Sequence, residues 1–134
     1  MTPPKIDPAV WNDGRGFMQG EVYLASDKYV SESLKAAFGL DVKKERPVLV
    51  VQNDRLNSVP NMPVILVAPI TSQPRVLEND YPLKADGTLL HQDSVIQLSL
   101  VQAIPKRALV KRIGKLKEVD LQTVKDRLRR KFAL

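Results

Sequence analysis

Three polar groups at the ends of apolar runs hold the side chains with chemistry to offer. Arg46 opens the run RPVLVVQN, directly before Pro47. Thr71, Ser72 and Gln73 close the run PVILVAPIT. His91, Gln92 and Asp93 form a polar cluster ahead of SVIQLSLV. A guanidinium grips a phosphate through two parallel hydrogen bonds and keeps its charge at any physiological pH. A neighbouring hydroxyl adds a third bond, so if the two strand ends meet they form a phosphodiester site. The alternative is that Arg46 pairs with Asp41 or Glu45 at the surface, as many strand-end arginines do. His91 can carry a proton near neutrality, or it is simply a surface turn histidine. Asp93 and Ser94 read as a turn closed by side-chain to backbone bonds.

The rest of the composition narrows the chemistry by exclusion. The chain has no cysteine and one histidine. Disulfides, thiolate metal sites, a cysteine nucleophile and a multi-histidine metal centre within one chain are therefore ruled out. No P-loop, dinucleotide fingerprint, zinc-protease helix or nucleophile elbow occurs. The expectation is chemistry with no cofactor and no metal.

These groups need strands to position them. GEVYLA (20–25) is a first short strand candidate and RPVLVVQN (46–53) the clearest one, with Val48 to Val51 apolar on both faces. Residues 54–61 read as a polar loop. PVILVAPIT (63–71) is another apolar strand, and Pro69 within it implies an edge or a bulge. A short strand near 81–84, a strand over SVIQLSLV (94–101) and a last one over 108–113, broken by Gly114, complete the set. From about 118 to 132, Leu121, Val124, Leu128 and Phe132 recur at spacings of 3, 4 and 4, the stripe of an amphipathic helix, with Lys125, Arg127, Arg129, Arg130 and Lys131 mostly on its other faces.

The chain has 134 residues, 43% of them apolar, which suits one packed domain over 1–134. Residues 1–19 read as an irregular lead-in, with Pro3, Pro4 and Pro8 and the turn signal Asn12-Asp13-Gly14. Trp11 there packs over the end of the core or stacks on a base. Residues 26–45 form a long connection in which Ser31–Phe38 reads as one or two helical turns between a Ser31 cap and Gly39. Five or so short strands and one C-terminal helix point to a mainly β (α+β) fold, a small twisted barrel.

Charge is lopsided: residues 105–134 carry 11 Lys and Arg against three Asp and Glu, within a net charge of +6. This suggests a polyanionic partner, RNA or DNA, or alternatively a solvated basic helix. No apolar run approaches the ~20 residues that cross a bilayer, and the N-terminus lacks an apolar signal core. The expectation is a cytoplasmic protein that makes no use of a membrane.

RPVLVVQND (46–54), PVILVAPITSQ (63–73) and DSVIQL (93–98), in that order, resemble the MazF/PemK toxin family. So do Pro105-Lys106-Arg107 and LVKRIGKL (109–116) leading into a terminal helix. The likeness covers about 20–25 and 46–134. It implies an SH3-like β-barrel of the MazF/PemK/CcdB type with a C-terminal helix, assembled as a homodimer. It also implies a toxin of a type II toxin-antitoxin system. The implied activity is a metal-independent endoribonuclease that cuts single-stranded RNA at preferred sequences by 2′-hydroxyl attack. The implied protein partner is a cognate antitoxin with an acidic C-terminal segment.

By position, Arg46 and Thr71 match the pair that carries the chemistry in the MazF branch. Arg46 stabilises the phosphorane and serves as proton donor to the leaving oxygen; Thr71 orients the phosphate or the 2′-hydroxyl. Glu21, Gln52, Asn53, Gln73 and Gln97 are RNA-contact candidates. Two departures stand out. The segment before Arg46, SESLKAAFGLDVKKE (31–45), is longer than the family's and lacks its Glu-Gln pair. Gln97 and Ser99 stand where the PemK branch has a catalytic arginine and aspartate. A non-catalytic barrel that binds RNA or a protein target such as gyrase, or an unrelated basic RNA-binding barrel, are the competing readings.

Overall fold

A computed structural model describes residues 16–26, 45–59, 62–72, 80–86 and 89–133. Residues 1–15 of the expected lead-in over 1–19, Trp11 among them, the helical turns at Ser31–Phe38 and residue Gln73 lie outside the described residues.

The described chain forms a seven-stranded antiparallel sheet. Its strands are β1 (Glu21–Ala25), β2 (Arg46–Val50), β3 (Val64–Thr71), β4 (Tyr81–Leu83), β5 (Ser94–Ile96), β6 (Gln102–Pro105) and β7 (Leu109–Lys115). A short helix α1 (Asp54–Asn57) follows β2, and the helix α2 (Glu118–Lys131) ends the fold. The order is β4-β5-β3-β2-β1-β7, with β6 on β3 beside this path. Among the described residues the ladder does not run full circle, so the sheet is open and the barrel description holds loosely.

β3 organises the sheet. One edge pairs with β2, from Val48 opposite Pro69 to Val50 opposite Val67. The other edge is divided between β6 along 64–67 and β5 at 70–71. Pro69 is therefore neither at an edge nor in a bulge, as the sequence suggested. It sits inside the central strand where the neighbour changes, so its missing N–H interrupts no continuous ladder. There its carbonyl accepts from Gln97 N at 2.8 Å.

Alternation along the strands gives two cores. Val48, Val50, Ile65 and Val67 pack with Phe17, Tyr23, Ile104 and Leu109 inside the curl. Leu49, Ala68, Ile70, Ile96 and Leu98 pack under α2, against Leu121 and Val124. The predicted helical stripe holds through Leu128, which packs against this second core. Phe132, by contrast, is exposed just past the helix end. Two glycines admit close packing. Gly20, at φ +91°, leaves only 2.8 Å between an added Cβ and Leu121. Gly114 does not break the last strand. It lies within β7 at a register shift against β1, and an added Cβ would come within 2.9 Å of Leu89.

Two further features escaped the pattern reading. Residues 94–101 are not one strand: β5 stops at Ile96, a 3-10 turn spans Leu98–Leu100, and β6 follows. The expected polar loop after Asn53 begins with α1, whose Leu56 N–H donates to the Asn53 cap at 2.9 Å.

Polar contacts clamp α2 to the sheet edge. Arg127 donates to the Asp80 carbonyl and lies 5.1 Å from the Tyr81 ring. Lys131 donates to the Leu98 carbonyl at 2.6 Å. Tyr81 donates its hydroxyl to Asp120. The Tyr81 pKa is raised above the ordinary value of about 10, chiefly because that bond holds the proton, with burial and the Asp120 charge adding and Arg127 opposing. A raised pKa contributes stability that is complete below the unfolded-state value and disappears as pH climbs through the folded-state value. Tyr81→Phe is therefore expected to cost about 0.5–1 kcal/mol in urea unfolding at pH 8. Above pH 10 the gap to wild type should narrow. Equal stability of the two proteins at pH 8 would show that the bond contributes nothing.

Candidate active site

Arg46 begins β2, and Pro47 after it restricts its backbone to the extended region. β1 flanks it on one side, with Ala25 opposite. The ladder between β2 and β3 runs from Val50 opposite Val67 to Val48 opposite Pro69, which brings the start of β2 to the same end of the sheet as the end of β3. The two strand ends singled out in the sequence are thus neighbours. Thr71 is buried and in register with Val95 of β5.

An open pocket of about 220 Å³ lies at this end of the sheet, lined by Arg46, Pro47, Ile70, Ser72, Leu90, His91, Gln92 and Ser94. Arg46 is half-buried, and its Nε is a buried donor with no hydrogen-bond partner among the described residues. Such groups are uncommon, because a buried donor without an acceptor costs about 1–3 kcal/mol. An anion in the pocket would supply the acceptor. Among the described residues no carboxylate pairs with Arg46; Glu45 is exposed. The hydroxyls lining the pocket are those of Ser72 and Ser94. His91, for which the sequence offers either a proton carrier or a surface turn residue, also reaches it because β5 pairs with the end of β3. Beyond Leu90, a second pocket is lined by Lys84, Lys115 and Lys117, with Asp86 and Asp120.

The remaining candidates lie elsewhere. Glu21 is buried and is committed to the fold: it accepts from Met18 N at 2.6 Å and pairs with Arg112. Gln97 is 1% exposed, inside the core. Gln52 is also buried, donating to Asn57 at 2.9 Å. Asn53 caps α1. Gln52 and Asn53 nevertheless border a third pocket, shared with Gln19, Leu56, Leu66, Lys125 and Arg129. That pocket is at the opposite end of β2 from Arg46, about 20 Å away for six extended residues. The predicted residues therefore divide between two places, and the polar type of Glu21 and Gln97 did not reveal their burial.

Residues 18–132 match the family described as PemK-like, MazF-like toxins of type II toxin-antitoxin systems. A probable endoribonuclease MazF of Mycolicibacterium smegmatis is 29% identical over 104 residues, 77% of this chain and 84% of that protein. Among solved structures, the Mycobacterium tuberculosis toxin MazF-mt6 superposes with a TM-score of 0.62 at 25% identity, covering 85% of this chain and 97% of that one. An endoribonuclease in complex with its cognate antitoxin from a mycobacterial species shares the fold, with a TM-score of 0.63 at 14% identity over 90% of this chain and 96% of that one.

The two charged positions Glu21 and Arg46 differ in what they do for the fold. Glu21→Ala removes the Met18 bond and the Arg112 pair, and is expected to cost about 2–3 kcal/mol in urea unfolding. Arg46→Ala discards an unpaired donor, and its stability should stay within about 0.5 kcal/mol of wild type. Unfolding of the Arg46 variant would make that side chain structural.

Proposed function

The chain belongs to the family of PemK-like, MazF-like toxins of type II toxin-antitoxin systems, and from that premise we propose that it is an endoribonuclease cutting single-stranded RNA at the Arg46 pocket. The observation that carries this reading is the buried, unpartnered Nε of Arg46 on an open pocket that the end of β3 also lines through Ile70 and Ser72. A phosphodiester there receives a permanent cation where charge develops. The RNA 2′-hydroxyl attacks the adjacent phosphorus, and the phosphorane's extra charge falls on the guanidinium. Preorganised charge of this kind usually contributes more to rate than any other single effect. Thr71, buried between Ile70 and Ser72 of the pocket wall, supports that wall and through it the orientation of the phosphate. In this reading the guanidinium takes the place a metal ion would hold, and the reaction is metal-independent.

The lysines beyond Leu90 extend the positive surface along which neighbouring phosphates run. The groove of Leu56, Leu66, Lys125 and Arg129 offers an apolar floor beside two cations. It suits the acidic segment of a cognate antitoxin, whose apolar side chains enter while its carboxylates meet the cations. Val64, exposed on β3 outside that groove, supports burial against a second copy in a homodimer. No helix among the described residues is long and apolar enough to cross a membrane, and a substrate of single-stranded RNA supports a cytoplasmic location.

The test is incubation of the purified protein with a long single-stranded RNA in EDTA. Discrete cuts ending in 2′,3′-cyclic phosphates are expected. Arg46→Ala should lower kcat by at least about 10²-fold, and Thr71→Val by a smaller factor. Intact RNA after incubation with folded wild type would refute the assignment. Neutralising Lys125, Arg129 and Arg130 together should weaken RNA binding, measured by filter retention, less than Arg46→Ala does. A larger loss from the triple variant would move the RNA to the groove beside α2.

A further inference from the structure

We propose that His91 is the general base of this reaction, an assignment that rests on reading the Arg46 pocket as the ribonuclease site. Attack by a 2′-hydroxyl requires a group that removes its proton. Eight of the described residues line the pocket. Arg46 is already protonated at every working pH and accepts nothing. The hydroxyls of Ser72 and Ser94 and the amide of Gln92 do not take up a proton near neutrality. Pro47, Ile70 and Leu90 have no polar side-chain atoms. Among the described lining residues, the imidazole of His91 is the one side chain built to take up a proton and give it back, and it belongs to the chain's single histidine.

The segment carrying His91 is held at both ends. Leu89 N–H donates to Asp86 at 2.9 Å, and the Leu89 side chain lies over Gly114. Asp93 accepts from Ala85 N at 2.8 Å, and Ser94 Oγ donates to the Gln92 carbonyl at 2.9 Å. His91 itself is exposed at the mouth of the pocket, where a strand of RNA can reach it. Among the described residues, Arg46 of β2 lines the same pocket, and Asp93 lies on the segment of His91 with its carboxylate engaged by Ala85.

The step balances without a co-reactant. The unprotonated ring nitrogen of His91 takes the 2′-hydroxyl proton as the bond from O2′ to phosphorus forms. The bond from phosphorus to O5′ breaks, and the 5′-oxygen takes a proton from solvent water. The imidazolium then neutralises the resulting hydroxide. The products are a 2′,3′-cyclic phosphate and a 5′-hydroxyl, with no net consumption of water.

The experiment is single-turnover cleavage of one RNA in EDTA from pH 5 to 9 by wild type, His91→Gln, His91→Ala and Arg46→Ala, with RNA affinity measured in parallel. Wild type should show an acid limb of unit slope. His91→Gln should cleave about 10²–10⁴-fold more slowly, bind RNA within about twofold of wild type, and lack that limb. Added imidazole should partly restore His91→Ala, in proportion to its free-base concentration. Cleavage by His91→Gln within about twofold of wild type, or a loss confined to RNA affinity with the limb intact, overturns the assignment to His91 alone. Failure of wild type itself to cut, while folded, overturns the ribonuclease reading and the base with it.

Discussion

The structure turns on the position of one proline in the middle of its central strand. A proline without an N–H cannot serve a ladder on the side where that donor is needed. β3 resolves this by dividing one edge between two partners, with β6 along 64–67 and β5 at 70–71, while β2 runs along the other edge. Gln97 N–H closes the junction on the Pro69 carbonyl. The division brings the start of β5 against the end of β3. The start of β2 reaches the same place by its own register. Arg46, Ser72 and Ser94 therefore meet although they are distant in sequence. A continuous third strand beside β3 would have covered this end of the sheet, and no pocket would exist there.

Charge in the C-terminal third has a more mixed role than the sequence count suggests. Several of its cations are spent on the fold. Arg112 pairs with the buried Glu21, Arg127 and Lys131 cap backbone carbonyls at the sheet edge, and Arg129 pairs with Asp126. Lys106 is buried near the Asn57 carbonyl. Exposed pairs such as Arg129 with Asp126 contribute little, whereas the partly buried ones tie α2 and β7 to the sheet. Arg46 differs in kind: its buried Nε has no acceptor among the described residues, although nearly all such donors in folded proteins have one. Among the cations of the described residues, Arg46 is the one with a buried donor that the fold leaves without an acceptor.

Elements with many periods were legible in the sequence. The apolar runs of β2 and β3 and the stripe through Leu121, Val124 and Leu128 span enough residues to declare their geometry. Short elements were not. Leu98 and Leu100 alternate as a strand would, yet they occupy a 3-10 turn, because tertiary pairing to β3 and not local pattern decides where β5 ends. α1 has four residues, too few for any stripe. Gly114 looked like a terminator but makes room for Leu89, a contact invisible along the chain. Glu21 looked like a surface contact for the same reason: its partner Arg112 is 91 residues away. In the site, Arg46 was legible because a charged residue before a proline at the head of an apolar run is a marked position. The place of His91 depended on the pairing of β5 with β3, which no local signal encodes.

The pocket also separates two demands that one residue cannot meet. Stabilising a phosphorane calls for a cation that never loses its charge, fixed where the charge appears. Proton removal calls for a group that is neutral when it acts and charged afterwards. A guanidinium satisfies the first demand and fails the second, since it stays protonated throughout the physiological range. The fold assigns the two to different kinds of support. Arg46 stands on a strand flanked on both sides, its backbone restricted by Pro47, which suits a group that must be preorganised to within a fraction of an ångström. His91 stands on a segment between strands, anchored by hydrogen bonds at its ends but exposed in the middle. A base that must meet a flexible ribose and then return its proton to solvent gains from that exposure. In the proposed reaction the rigid group thus meets the phosphate, and the solvated one meets the nucleophile.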